Sequence, residues 1–566
     1  MVSVHTQAQT GQKHAILDEV MDEFLKTLSS RITGDITTDE ATLRSASRDT
    51  SLFELKPLAV IVPKNVSDIT TIVRAVGEHE GWSLTARSGG TGMDGGALSE
   101  SIVLDMTKYF SHIKGFTQTT GTVEPGVFFR DFDRESMKRG LLMPSYPASR
   151  ELCTVGGMVA NNAGGELTLA YGKTADYIRE LRVVLSDGNE YTFGKLSHEA
   201  LEQKLLQKDF VGYLYRRMYA LVKNNQQIIQ DARPQVTKNS SGYALWDVYD
   251  PHKETLDLTR LFTGSQGTLG IITEITFDLV PPDPHSQMMI LFLDSFEGLG
   301  ELVKTVLAHT PTTFESYDDK TLRLALRFFV QFVKRLGFKN IFTLLKGSIP
   351  EALSIARHGL PKLVLQITFD GKDPVLLKKK AEMLAKELAM FKPRYVEILK
   401  NKKEMEEYWL IRRESFNLLR HKSKHVSTAP FIDDIVVPPR VLSEFLPKLY
   451  AILNEYNDYM IHNIAGHIGN GNFHIIPLMN LSDENVRKVI PEIAQKVYNL
   501  VFSYKGSASG EHNDGIIRTP FLRQQFGDDM YKLFEQTKNI FDPKGIFNPG
   551  KKVRGSLEYA LKHLHS

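Results

Sequence analysis

Five side chains in the last fifth of this sequence are of the types that bind metal ions and move protons: His462, His467, His474, Glu511 and His512. The first three lie in His462-Asn-Ile-Ala-Gly-His467-Ile-Gly-Asn-Gly-Asn-Phe-His474, which reads as two strands around a Gly/Asn turn. With the turn at Gly469–Asn472, Ile468 faces Phe473 and His467 faces His474. Opposed hairpin residues have Cβ atoms about 5 Å apart, so both imidazoles can reach one metal ion. His462 is an odd number of residues from His467 and falls on the other face. The same pair is also compatible with two hydrogen-bonded core histidines that hold no metal. Further on, SASGEHNDG places Glu511 and His512 in a loop of small residues unsuited to core packing. A carboxylate and a histidine on such a loop are what a metal and base site needs. The N/O donor set suits zinc, manganese or iron without choosing among them.

A second set of residues could hold a cofactor. ARSGGTGMDGGAL places Gly89, Gly90, Gly92, Gly95 and Gly96 within eight residues. Glycines at this density let successive N–H groups point into one concavity and hold an anion such as a pyrophosphate. Gly90 to Gly95 also spells GxGxxG, the dinucleotide fingerprint, but that motif needs a helix directly after it. Here ALSESIVLDM follows, a loop and a strand, so a nicotinamide site is rejected. CTVGGMVANNAGG (153–165) and FTGSQGTLGIITE (262–274) are two more loops of small residues. Three such segments, each abutting a strand, predict backbone lining one long cofactor. A cation for a substrate carboxylate is offered by YWLIRRESFNLLRHK, with Arg412 and Arg413 after Trp409; the alternative is a solvated helix face.

The elements that must position these residues follow from periodicity. Residues 14–31 predict an amphipathic helix with Ile16, Val20, Phe24 and Leu28 on one stripe. PLAVIVP, WSLTARS and SIVLDM predict strands, and VSDITTIVRAVGEHE a helix capped by Ser67. Residues 178–194 predict a hairpin with Asp187-Gly188 at its turn, and 269–280 a further strand. From about residue 286, ILFLDSF, PKLVLQITFDG and YMIHNIAGHI predict strands separated by helical stretches such as DPVLLKKKAEMLAKELAMF. Residues 541–552 read as a Gly- and Pro-rich loop. The fold class is therefore α+β, in four parts: an N-terminal helical segment (1–50), a cofactor domain (51–285), a substrate domain (286–530) and a C-terminal segment (531–566).

The order PLAVIVP, RSGGTGMDGGAL, TVGGMVANNAGG, YGKTADYIRELRVVLSDG, TGSQGTLGIITE resembles the FAD-binding domain of the vanillyl-alcohol oxidase superfamily. GHIGNGNFH, SGEHNDG and FDPKGIFNPGK resemble its D-lactate dehydrogenase and glycolate oxidase branch. The resemblance implies a PCMH-type FAD-binding domain of two α/β subdomains and an antiparallel-sheet cap domain flanked by helices. It implies that Arg87, Ser88, Gly89, Gly90, Thr91 and Gly92 wrap the FAD pyrophosphate, and that Thr154, Gly157, Asn161 and Gly164 line pyrophosphate and ribose. Ile272 would meet the cofactor through its backbone, and Asn548 would return near the flavin. Thr91 stands where some relatives carry a flavin-linking histidine, so FAD is expected to be non-covalent, and Cys153 is read as a small buried residue. By the same resemblance His467, His474 and Glu511 would hold a divalent ion, His512 would be the general base, and Arg412 would bind the substrate carboxylate. Two positions depart from the pattern: Asn470 where relatives carry Asp, and Asn513 where they carry Gly. Phe416 and Ile432 stand where relatives that accept a second carboxylate place Thr and Lys, which favours a monocarboxylate.

The implied reaction is oxidation of a small D-2-hydroxy acid, D-lactate first and glycolate next. The electrons would pass to a quinone, a cytochrome or an electron-transfer flavoprotein. The alternative is a flavin transferase of the alkylglycerone-phosphate synthase type. Composition fits an enzyme and excludes other classes. Lys+Arg is 69 against 67 for Asp+Glu, a net +2, so the basic excess of a nucleic-acid binder is missing. One cysteine excludes an internal disulfide, a Cys-ligated zinc and an iron–sulfur cluster within the chain. The start of the chain does not read as a signal peptide and no apolar run has transmembrane length, so the expectation is a cytoplasmic chain or one attached at the inner face of a membrane. Residues 321–347 interleave basic residues such as Arg323, Lys334 and Lys339 with Leu and Phe. They suit either an interfacial helix or, the favoured reading, a helix packed on the protein with its charges in water.

Overall fold

The computed structural model describes residues 20–327, 359–409, 412 and 426–565. Its first sheet orders the strands Asp35–Thr37, Ala59–Val62, Ile102–Asp105 and Leu84–Arg87 side by side. The last three run parallel. Their short, almost wholly apolar runs are what a parallel sheet covered on both faces requires. Helix Val66–Gly77 covers one face through Ile69, Ile72, Val73 and Val76. Its cap is Asn65, whose side chain accepts from Asp68 N–H, not Ser67; Asn65 holds the extended backbone that a cap needs. The segment 1–50, expected to be helical, is helical at 20–29 and 40–46 but also supplies the strand Asp35–Thr37; residues 14–19 lie outside the described residues.

A second, antiparallel sheet of five strands follows, with Ile271–Asp278 at its centre. That strand alternates strictly, Ile271, Thr273, Ile275 and Phe277 facing inward. Residues 178–194 form the expected hairpin. The helix Leu522–Phe541 packs into this core through Phe526, Met530 and Phe534. It therefore joins the cofactor half although its sequence follows the substrate half. One expectation is corrected here. The second glycine-rich segment holds a helix, Val155–Asn161, because Thr154 caps Gly157 N–H while Val155, Met158 and Val159 turn into the core.

The third sheet has seven antiparallel strands, in the order 395–398, 285–293, 363–371, 313–318, 465–467, 472–474, 435–436. His285–Leu293 and Leu363–Gly371 pair over nine residues and form its spine. Helices Leu299–Ala308, Pro374–Leu388, Leu442–Asn454 and Glu484–Ser503 cover one face. The described residues are thus mixed helix and sheet with no closed barrel among them, as the α+β reading requires. Among the described residues no helix is long and apolar enough to cross a membrane. Most of the basic stretch 321–347, together with Arg413 and Phe416, lies outside the described residues.

Candidate functional site

The strand order brings the chemistry together. Ser316 pairs with Gly466, so the next step of that register sets Glu315 beside His467. His467 in turn pairs with Asn472, not with His474 as the sequence suggested. The turn is Ile468–Asn470 closed by Gly471 in the left-handed region (φ +66°), which moves the register by two. His467 and His474 are therefore diagonal neighbours on one face, with ring centroids 5.2 Å apart, still near enough to share an ion. His462 lies apart, its Nε2 2.6 Å from Lys320 Nζ.

Glu511 is the hub. Its Oε1 lies 3.4 Å from His467 Nε2, 3.4 Å from His474 Nε2 and 3.8 Å from His512 Nε2. Each imidazole is held from behind by a carboxylate. His467 Nδ1 is 2.6 Å from Glu315 Oε1, His474 Nδ1 is 3.4 Å from Asp433 Oδ1, and His512 Nδ1 is 2.7 Å from Asp433 Oδ2. Such contacts orient the rings toward Glu511. Burial opposes charge on His474, but Asp433 and Glu511 outweigh it and push it up to about 10. His512 is raised by Asp434 and Asp433 against the same opposition. Burial likewise opposes the Glu511 carboxylate, yet Lys238 and His467 hold it well below the usual range.

Asp434, His474, Glu511 and His512 also place ligand atoms within 4.8 Å of one another. The Asp434 carboxylate, however, is taken up by the loop. Its Oδ2 accepts from Ser509 Oγ, Glu511 N–H and His512 N–H, and its Oδ1 accepts from Asn472 Nδ2. Asp434 braces the loop, while His467, His474 and His512 all bring Nε2 to within 3.8 Å of Glu511 Oε1. Two imidazoles and a carboxylate, backed by Glu315 and Asp433, fit a divalent ion.

Sequence reasoning missed Lys238, Glu315, Asp433 and Asp434. Lys238 is fully buried; its Nζ donates to Glu511 Oε2 at 2.6 Å and to Asn472 Oδ1 at 3.2 Å. A charged residue between small polar ones, as in VTKNSSGY, and the acid pair inside the apolar run PFIDDIVVP were the available signals. Arg412 meets Glu315 Oε2 through Nε (3.1 Å) and Nη2 (3.0 Å), and so stands at the edge of the same cluster. Asn470 donates to Thr237 Oγ1. Asn513 has φ +74°, a region Asn tolerates better than most residues. Its side chain ties the loop to Asn161 O and Gly264 O. Ile432 is buried in the core.

Two cavities meet at this cluster. One is lined by Arg87 to Gly92, Thr154, Gly157, Asn161 and Ile272, and ends at Glu511 and His512. Among the described residues the N–H groups of Gly90, Thr91 and Gly92 donate to no backbone carbonyl, so they are available to an anion. With the helix start at Thr154 beside them, this lining fits the pyrophosphate of FAD. Three of the residues expected at the cofactor have protein partners of their own. Arg87 turns its guanidinium back to Arg48 O at 2.6 Å, so only its neighbours offer donors. Gly164 lies against Glu511, since a Cβ there would sit 3.3 Å from Glu511 Oε2. Asn548 is fully buried and bonds Thr85 Oγ1, Gly96 O and Gln266 O, bracing the loops from behind. Cys153 lines this cavity with its thiol pushed up to about 12 by burial, which makes it a poor nucleophile. A Cβ on Gly89 would come 2.9 Å from Leu152 O. Gly89→Val is therefore expected to purify with less than about a tenth of the wild-type FAD, read from visible absorbance against protein.

The second cavity, of about 550 Å³, shares Thr91, Met93, Pro147, Ala148, Ser149, Glu511 and His512 with the first. It also reaches Arg412, His467 and His474. A ligand there would touch both the base and the end of the cofactor cavity.

Comparison with known proteins agrees with this geometry. The FAD binding domain family matches residues 57–194, and the FAD linked oxidases, C-terminal domain, matches 283–552. The chain is 26% identical over 554 residues to a D-2-hydroxyglutarate dehydrogenase of Escherichia coli (strain K12), covering 96% of this chain and 53% of that protein. It thus spans about half the length of that relative. It is 25% identical over 552 residues to a D-lactate dehydrogenase of Anaerostipes hadrus, covering 95% and 98%. The structure of 4-ethylphenol oxidase from Gulosibacter chungangensis superposes with a TM-score of 0.66 at 17% identity, over 96% and 98% of the two chains.

Proposed function

We propose, from the premise that the chain belongs to the FAD-linked oxidases of the vanillyl-alcohol oxidase superfamily, that it oxidises a D-2-hydroxy acid with one carboxylate to the 2-oxo acid. D-Lactate is the simplest chiral candidate and glycolate the next. The observation that carries the reading is the meeting of His467, His474, Glu511 and His512 at the shared edge of the two cavities. When bound, non-covalent FAD supplies the acceptor for the Cα hydride, and a divalent ion (zinc, manganese or iron) supplies Lewis-acid polarisation of the hydroxyl.

The chain's own residues do the rest. His512 takes the hydroxyl proton at Nε2, while Asp433 holds the ring from its Nδ1 side. Arg412, oriented by Glu315, offers a guanidinium edge to the carboxylate. The loop Ser509–His512 stays fixed because Asp434 takes two of its N–H groups. Electrons then leave to a non-nicotinamide acceptor, such as a quinone, a cytochrome or an electron-transfer flavoprotein. Anaerobic mixing of the FAD-loaded protein with D-lactate is expected to yield one pyruvate per flavin reduced, with L-lactate inert. Equal reduction by both enantiomers, or reduction without the oxo acid, would refute the assignment.

A further inference from the structure

The chamber beside the cluster is far larger than a three-carbon acid fills, at about 550 Å³. Besides the cluster, its described walls include Met93, Tyr146, Leu152, Trp409, Ile476 and Leu478. Chain alternation explains the placing of Ile476. It lies two residues after His474 and shares its side, while Ile475 between them is fully buried in the core. Leu478 pairs with Thr428, and both face the chamber.

The charges beyond the cluster have a sign. Among the described lining residues they are Arg150, Glu151 and Glu166, two carboxylates to one guanidinium. Arg150 Nε lies 3.8 Å from Glu151 Oε1, and its guanidinium sits 5.0 Å over the Tyr146 ring. Tyr146 OH donates to Glu166 at 3.4 Å. Among the described residues, a distal carboxylate on a substrate would meet two carboxylates and one guanidinium that already lies beside Glu151.

We infer that the chamber takes a D-2-hydroxy acid whose tail is apolar and larger than a methyl group, branched or aromatic, and turns away a tail that carries a second carboxylate. This rests on the dehydrogenase reading above and narrows its substrate. In an apolar pocket each methylene properly placed is worth about tenfold or more in specificity. The test is anaerobic flavin reduction of the FAD-loaded full chain by D-lactate, D-2-hydroxyisocaproate, D-3-phenyllactate and D-2-hydroxyglutarate. The isocaproate or phenyllactate is expected to exceed D-lactate at least about tenfold in reduction rate over dissociation constant, with hydroxyglutarate at or below lactate.

If D-2-hydroxyglutarate leads, or D-lactate equals the larger acids, the inference falls and the dehydrogenase reading stands. If no hydroxy acid reduces the flavin, the dehydrogenase reading falls and the inference with it. Ile476→Ala is expected to cut the isocaproate-to-lactate ratio about fivefold. Leu152, 63% exposed, can be changed without touching the core, and Leu152→Asp is expected to lower the same ratio. An unchanged ratio in both variants places the tail elsewhere and overturns the assignment.

Discussion

His512→Ala is expected to lower the rate of anaerobic flavin reduction about a thousandfold while the purified protein keeps its FAD. The size follows from the usual worth of a positioned base, about a hundredfold to ten-thousandfold. Retention of FAD follows from geometry: His512 touches only the end of the cofactor cavity, and the donors at Gly90 to Gly92 and the helix start at Thr154 are untouched. His474→Ala is expected to be as slow for a different reason, through loss of bound ion, so metal content of the purified proteins separates the two. A His512→Ala protein that reduces its flavin at the wild-type rate would remove this residue from the proton step.

Lys238→Met should show the largest change in stability. Lys238 is buried without exposure, and Glu511 keeps its charge beside it at 2.6 Å. Removing one partner of a buried pair costs about 3–5 kcal/mol, and the imidazoles of His467 and His474 beside Glu511 put this case at the lower end. For a chain of this size that corresponds to a melting temperature lower by roughly 3 °C. A divalent ion bound by Glu511 should restore part of it, because it supplies the missing positive charge. Melting curves with and without zinc or manganese check this. The double variant Lys238→Met/Glu511→Gln should lose less than the sum of the two single changes, since neither charge is then left alone. Strict additivity would show that the pair is not coupled.

The cofactor half was readable because its signal is local. Glycine density, the strand rather than a helix after GxGxxG, and the Asp187-Gly188 turn each depend on a few adjacent residues. The short helix Val155–Asn161 was hidden because glycine-rich sequence reads as loop when the cap and the buried valines are not weighed together. In the second half the residues that stand alone as unusual, His467, His474, Glu511 and His512, were singled out, and they lie in one cluster. Their supports were not. Lys238 meets Glu511 across 273 positions of chain, and Glu315 meets His467 across 152. A single lysine in a polar loop or a single glutamate in a strand carries no periodicity to read. The hairpin register was wrong by two because the four-residue turn starts one residue earlier, at Ile468, with Gly471 taking the positive φ. The diagonal contact survived that shift because cross-strand side chains two positions apart share a face.

The most direct test is single-turnover reduction of the bound flavin by a D-2-hydroxy acid in three states of the protein: metal-loaded, stripped by chelator, and reloaded with zinc or manganese. The account predicts rapid bleaching in the first state, a rate lower by about a hundredfold or more in the second, and recovery in the third. A flavin that stays oxidised with every hydroxy acid in the metal-loaded protein, or that bleaches equally fast with and without the ion, would contradict it.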